Sequence, residues 1–282
     1  MHGRKKVSID EAAKIKAQQK AKKIKLAAAQ VMEARSDPEK EEALMKSKCE
    51  ILDYLDDFAT LWNMRKSYVL KNPTSEMVEN ELQIALRVLK SNPKSYWGWH
   101  HRRWCIDLIK DYDAHQEIEL CNHFIASDNR NFHAWRHRRW AVKKCGDVDD
   151  EELKNMTKLI EKNFSNFSAW HYRSELPNVT NYEEEIKFTQ AAFWTDPNDQ
   201  SAWIYYRWLL SRPSISGNVD LLNEELQLMN DLIEDEPKCK YPLLAAIWIQ
   251  RKLPQPDQNY INQIIEKLST LDPIRAPYYR EQ

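Results

Sequence analysis

The chain has 282 residues, with only 4 Gly against 11 Trp, and its 42 Lys and Arg balance 43 Asp and Glu. The glycines stand singly at Gly3, Gly98, Gly146 and Gly217, so neither a G-x-G-x-x-G fingerprint nor a Walker loop can be written, and no Asn-Gly or Asp-Gly hairpin turn occurs. Near-neutral charge argues against a nucleic-acid binder, five cysteines without a C-x-x-C pair argue against a disulfide frame or a thiolate zinc site, and no apolar run approaches a membrane span. An all-α, cytoplasmic chain is expected.

Residues 1–25 carry nine basic and two acidic residues, a net of +7, which leaves −8 for the remainder. The positive head lacks the apolar stretch of a signal peptide. It reads as a solvated basic segment, helical or flexible, over residues 1–45, followed by one repeat domain over 46–282.

A period then emerges from the aromatics. Trp62, Trp99, Trp135, Trp170 and Trp203 are 37, 36, 35 and 33 residues apart, and Trp248 follows after 45, with 211–218 reading as an inserted loop. An arginine follows three residues after most anchors, at Arg65, Arg102, Arg138, Arg173 and Arg251; in the fifth copy it moves to Arg207. Trp104, Trp140 and Trp208 recur five residues after three anchors. Such a period means stacked helical hairpins, none able to bury its apolar face alone. In one unit, apolar spacing predicts a first helix over Glu76–Leu89, Asn92 and Pro93 stop it, and a second helix runs from Tyr96 to about Ile109. Pro197, Pro237 and Pro273 mark similar stops, Thr180 and Glu183 fit a capping box, and Gly146 fits a helix C′ position. Each Trp is expected to plug its hairpin, with the arginine pairing to a carboxylate of the next. The tetratricopeptide pattern is excluded, because it places Trp and Leu-Gly on the first helix.

The repeated aromatic-x-x-Trp-x-x-Arg, led by residues 92–103, resembles the protein prenyltransferase alpha-subunit repeat from Phe58 to Arg251, and Asp272–Arg280 resembles the family's tail. The resemblance implies a right-handed α-α superhelix (solenoid) of helical hairpins. Residues 1–5 and 58–63 look most like the Rab geranylgeranyltransferase kind. The Pro-rich leader common on the alpha subunit shared by farnesyltransferase and geranylgeranyltransferase type I is missing. So are the immunoglobulin-like and leucine-rich-repeat domains of animal members.

The resemblance further implies transfer of geranylgeranyl from geranylgeranyl diphosphate to C-terminal cysteines of Rab GTPases. Its partners are an obligate beta subunit, which holds the Zn2+ and the isoprenoid pocket, and a Rab escort protein. Lys94 matches the family's diphosphate-contacting lysine. It precedes a second helix, so its ammonium and the helix amides are expected to face one anion. Tyr96 matches a neighbouring tyrosine that orients the lysine or a phosphate oxygen, and His133 a histidine near the reactive centre. His100 and His101 are expected to be structural. His133 and His137 are spaced as half of a metal site, but no third ligand follows. His2 is a candidate ligand of the partner's zinc. Two competing readings are the shared alpha subunit acting on CaaX proteins and a non-enzymatic helical-repeat scaffold, which would have no need of Lys94.

Overall fold

Helices carry the chain in this computed structural model, which describes residues 11–47, 50–146 and 148–281; no strand occurs among them. They form two compact units, 1–146 and 147–282. The first holds α1 (Glu11–Arg35), α2 (Pro38–Lys46), α3 (Ala59–Lys71), α4 (Ser75–Ser91), α5 (Tyr96–Asp107), α6 (His115–Ser127) and α7 (Phe132–Cys145). The second holds α8 (Asp149–Lys162), α9 (Phe167–Arg173), α10 (Tyr182–Thr195), α11 (Gln200–Leu210), α12 (Pro213–Ser216), α13 (Val219–Asp235), α14 (Lys240–Gln250), α15 (Gln258–Leu271) and α16 (Ala276–Glu281). The predicted helices 76–89 and 96–109 correspond to α4 and α5. The lysines of α1 are exposed. Its C-terminal Val31 and Ala34, with Met45 of α2, join a core cluster around Leu61 and Trp62.

Within each hairpin from α4 to α14 the connection from first to second helix is four residues long: 92–95, 128–131, 163–166, 196–199 and 236–239. In the first four, side chains lock the loop at both ends. The side-chain oxygen of Asn92, Asp128, Asn163 or Asp196 accepts the N–H two residues on. The backbone carbonyl of the same residue accepts the N–H three residues on. The last residue of the loop (Ser95, Asn131, Asn166 or Asp199) then caps the second helix through its own side chain. Proline follows the first residue at Pro93 and Pro197 but not at Asn129 or Phe164. The Asx side chain is therefore the shared device, because it competes with the helix for backbone donors.

The tryptophans close the motif. Nε1 of Trp62, Trp99, Trp135, Trp170 and Trp203 donates to the carbonyl six residues earlier, at 2.7–2.9 Å. All five indoles are at most 4 % exposed. Their burial removes about 150–250 Å² apiece from water, and the polar ring atom is satisfied rather than stranded.

The arginine expectation holds in three hairpins. Arg65 is bidentate to Glu81, Arg102 to Glu117 and Arg173 to Glu185, each carboxylate coming from the next hairpin's first helix. A side chain of that hairpin's second helix completes each site: His101, His137 and Tyr205. In the fifth hairpin the arginine has not shifted. Tyr206 stands in its place and donates to Glu225 at 2.8 Å, while Arg207 lies over the Trp248 ring. Trp248 is likewise not the sixth anchor. The anchor place falls six residues after the loop proline, and there Leu243 is 1 % exposed. Trp248 is half-buried, five residues further on, in the position of Trp104, Trp140 and Trp208. Tyr279, six residues after Pro273 and 2 % exposed, takes the anchor place again.

Two local expectations resolve differently. The cap of α10 is Asn181, whose side chain accepts from Glu184 N–H, so the Thr180 and Glu183 box does not form. Asn181 wins because it is the last residue outside helical geometry, with φ −86 and ψ 80. Gly146 does end α7 in the left-handed region, with φ 89.

Candidate functional site

The loops 92–95 and 128–131 carry the predicted residues to neighbouring ends of α5 and α7. Lys94 is the third residue of its loop and exposed, and its Nζ lies 2.9 Å from Asp128 Oδ2 at the start of the next loop. The Lys94 hydrogen bond, followed by the Arg130 backbone N–H, holds the Asp128 carboxyl below its ordinary range. Tyr96 opens α5. Its exposed ring meets the edge of His133 at 6.2 Å between centroids and stacks on His100 at 6.1 Å. His133 is half-buried on the first turn of α7, its backbone N–H bonded to Asn131. Burial pushes its pKa down, Asp57 opposes this, and Arg136 adds to the lowering. At neutral pH it is an uncharged imidazole with one N–H to give.

The anion site differs from expectation in one respect. Asp57 Oδ1 accepts from the Trp97 N–H at 2.9 Å and from Ser95 Oγ at 2.8 Å, and Ser95 Oγ accepts the Gly98 N–H. Those amides at the N-terminus of α5 are therefore already satisfied. Lys94, by contrast, is held by a single half-buried carboxylate, that of Asp128.

Beyond Tyr96 and His133, a cavity of about 60 Å³ runs between α5 and α7, lined also by His100, Arg103, Arg136 and His137. Lys66 of α3 reaches one of the lining residues, donating to His100 Nε2 at 3.1 Å, and lies over the rings of Trp97 and Trp104. Burial lowers the pKa of Lys66. Burial, then Lys66, Arg103 and Arg136, lower that of His100. The two adjacent histidines thus divide: His101 is buried against Glu81 as a structural group, whereas His100 faces the cavity. His137 is bonded to Glu117 and does not pair with His133 as a metal ligand set. Among the described residues no group of three His, Cys, Asp or Glu fits a metal ion. His2 lies outside the described residues.

Asp57, Asp128, Lys66, Arg103 and Arg136 escaped the sequence reading. A signal existed, because Lys66 and Arg103 each follow an anchor tryptophan by four residues and His100 and Arg136 each follow one directly. These positions form the exposed stripe of the second helices.

The protein prenyltransferase alpha subunit repeat matches residues 78–109, 114–145, 149–177 and 182–213, which are the hairpins α4–α5, α6–α7, α8–α9 and α10–α11. Geranylgeranyl transferase type-2 subunit alpha of Sus scrofa is 39% identical over 238 residues, 75% of this chain and 42% of that protein. The Dictyostelium discoideum protein of the same name is 33% identical over 244 residues, 79% of this chain and 78% of that protein. The chain belongs to the protein prenyltransferase alpha-subunit family. This alpha-subunit chain spans about two-fifths of the length of the mammalian relatives it matches. Its fold is shared with a chain of Candida albicans protein geranylgeranyltransferase-I complexed with GGPP, at a TM-score of 0.66 and 23% identity over 86% of both chains.

Proposed function

We propose that the chain acts as the alpha subunit of a heterodimeric Rab-type protein geranylgeranyltransferase, which moves geranylgeranyl from its diphosphate to C-terminal cysteines of Rab GTPases. The type-2 names of the relatives support the enzyme class. The observation that carries the site is the pairing of loops 92–95 and 128–131. Their locked turns present Lys94, Tyr96 and His133 together, with Lys94 held by a single half-buried carboxylate.

In the reaction, the thiolate sulfur of the acceptor cysteine bonds to C1 of the isoprenoid. The bond from C1 to the diphosphate oxygen breaks, and diphosphate leaves with the electron pair. Negative charge grows on its oxygens, and donors fixed near that charge lower the barrier. Lys94 exchanges Asp128 for the diphosphate, while Tyr96 O–H and the neutral His133 N–H donate to phosphate oxygens. A Zn2+ held by the beta subunit would supply the activation of the thiol. The amine and guanidinium groups at this chain's site repel that ion, and among the described residues no three His, Cys, Asp or Glu group to hold it, so it and the isoprenoid pocket fall to the same partner. The enzyme works in the cytoplasm with a beta subunit and a Rab escort protein. No helix among the described residues is long and apolar enough to cross a membrane.

The test is co-expression with each candidate beta subunit, followed by prenyl transfer to a Rab protein with escort protein and to a CaaX peptide. Transfer to Rab is expected. Activity on the CaaX peptide alone overturns the Rab assignment, and failure to assemble with any beta subunit leaves only the scaffold reading. Lys94→Ala is expected to slow transfer about 100-fold or more, in line with loss of one transition-state donor, with assembly intact.

A further inference from the structure

One turn beyond Tyr96 and His133, α5 and α7 present cations that no acid among the described residues matches. Arg103 and Arg136 are exposed, and among the described residues neither has a carboxylate partner; Arg103 lies over the Trp140 ring at 5.0 Å. Lys66 donates to His100 instead of to an acid. Elsewhere in the same unit, Arg65, Arg102, Lys94 and Lys144 all have carboxylates. The crowding has an electrostatic cost at His100, where Lys66, Arg103 and Arg136 add to burial in lowering the pKa. An anion entering from outside relieves it.

Size and shape narrow the occupant. The cavity of about 60 Å³ is open to solvent and admits a side-chain carboxylate between the two helices. From Tyr96 to Arg103 the lined stretch of α5 extends about 10 Å at ~1.5 Å per residue, longer than one phosphate group. Guanidinium groups at Arg103 and Arg136 are suited to bidentate carboxylates. We infer that this groove receives acidic side chains of the beta subunit, a docking surface that rests on the reading of this chain as an alpha subunit. It adjoins the diphosphate contact at Lys94, with Tyr96 and His133 between the two, and it would set the register in which the partner meets α5 and α7.

The test measures assembly of the alpha–beta complex at several salt concentrations, for the unaltered chain, Arg136→Glu and Arg103→Glu/Arg136→Glu. Lys187→Glu, at an exposed position of α10 that does not line the groove, makes the same charge change. Arg136→Glu guards against misfolding, because Arg136 makes no hydrogen bond or ion pair within the described chain. The double variant is expected to weaken association at least tenfold at physiological salt and to flatten its salt dependence. Arg136→Glu should do so in part, and Lys187→Glu should leave both unchanged. If the unaltered chain assembles and the double variant matches it in affinity and salt slope, the groove assignment is overturned while the alpha-subunit reading stands. If the unaltered chain assembles with no beta subunit, it is the alpha-subunit reading that falls.

Discussion

Replacing Arg102 by methionine strips Glu117 of its bidentate partner, and the cost follows from what surrounds that carboxylate. Glu117 is 0 % exposed. Its Oε1 accepts from Arg102 at 2.6 Å and Tyr112 O–H at 2.6 Å; its Oε2 accepts from Arg102 at 2.7 Å and bonds His137 at 2.8 Å. Burial pushes the Glu117 pKa up, but the bonds to His137 and Arg102 outweigh it and hold the group at about 2. Against an ordinary carboxyl this corresponds to about 3 kcal/mol, at ~1.36 kcal/mol per pKa unit. Breaking a buried pair costs roughly 3–5 kcal/mol in measured cases, which is the same size. Arg102→Met should therefore lower the unfolding free energy by about 3–5 kcal/mol at pH 7, read by urea denaturation with tryptophan fluorescence. Arg102→Met/Glu117→Gln should recover more than half of that loss, because it removes the stranded charge. A single-variant loss below about 1 kcal/mol, the level of an exposed pair, would refute the reasoning. So would a double variant as unstable as the single one.

Acid should weaken the same cluster. Glu117 is depressed in the folded state, so its contribution is present above the ordinary carboxyl pKa of 4.5 and is lost as pH falls toward about 2. Burial likewise depresses His137, whose contribution is lost as pH falls below the ordinary 6.5. Thermal melts of the unaltered chain should fall through this window, and those of Arg102→Met/Glu117→Gln should fall less. The register of the sixth hairpin predicts that Leu243→Ala costs about 2–5 kcal/mol, while Trp248→Leu costs less than about 2 kcal/mol; the reverse order in urea midpoints would restore Trp248 as the anchor. Asp128→Asn should free Lys94 and strengthen geranylgeranyl diphosphate binding by the assembled enzyme several-fold, as measured by titration. Unchanged or weaker binding would mean that the carboxylate positions the lysine rather than competing for it.

The tryptophan period disclosed the hairpins because a large ring at a fixed place leaves a trace in the text. The Arg102 and Glu117 pairing was read from one side only. The arginine recurs with the tryptophan, whereas its carboxylate sits on another helix 12 to 16 residues later; the fixed spacing is a different one, 18 residues from Glu81, Glu117 and Glu185 to the anchor tryptophan of their own hairpin. The sixth anchor was misread because Leu243 performs by size alone what an indole performs with a hydrogen bond. Lys94, Tyr96 and His133 were named through family resemblance, and the structure adds what resemblance did not carry. Asp128 holds Lys94, and Asp57 occupies a helix terminus that had seemed open. Both contacts span loops far apart in sequence, where a local pattern carries no signal.

The loop motif has a consequence for how such a chain can change in length. An indole that must reach the carbonyl six residues behind it tolerates no insertion in between, and the connections inside these hairpins all span four residues. The connections between hairpins are under no such rule; they run from three residues at 146–148 to eight at 174–181 and 211–218. The uneven tryptophan spacing is therefore variation sorted to one end of every hairpin. Divergence, grafted segments and engineered tags will be accepted at that end, while the end carrying Lys94 and His133 keeps its dimensions.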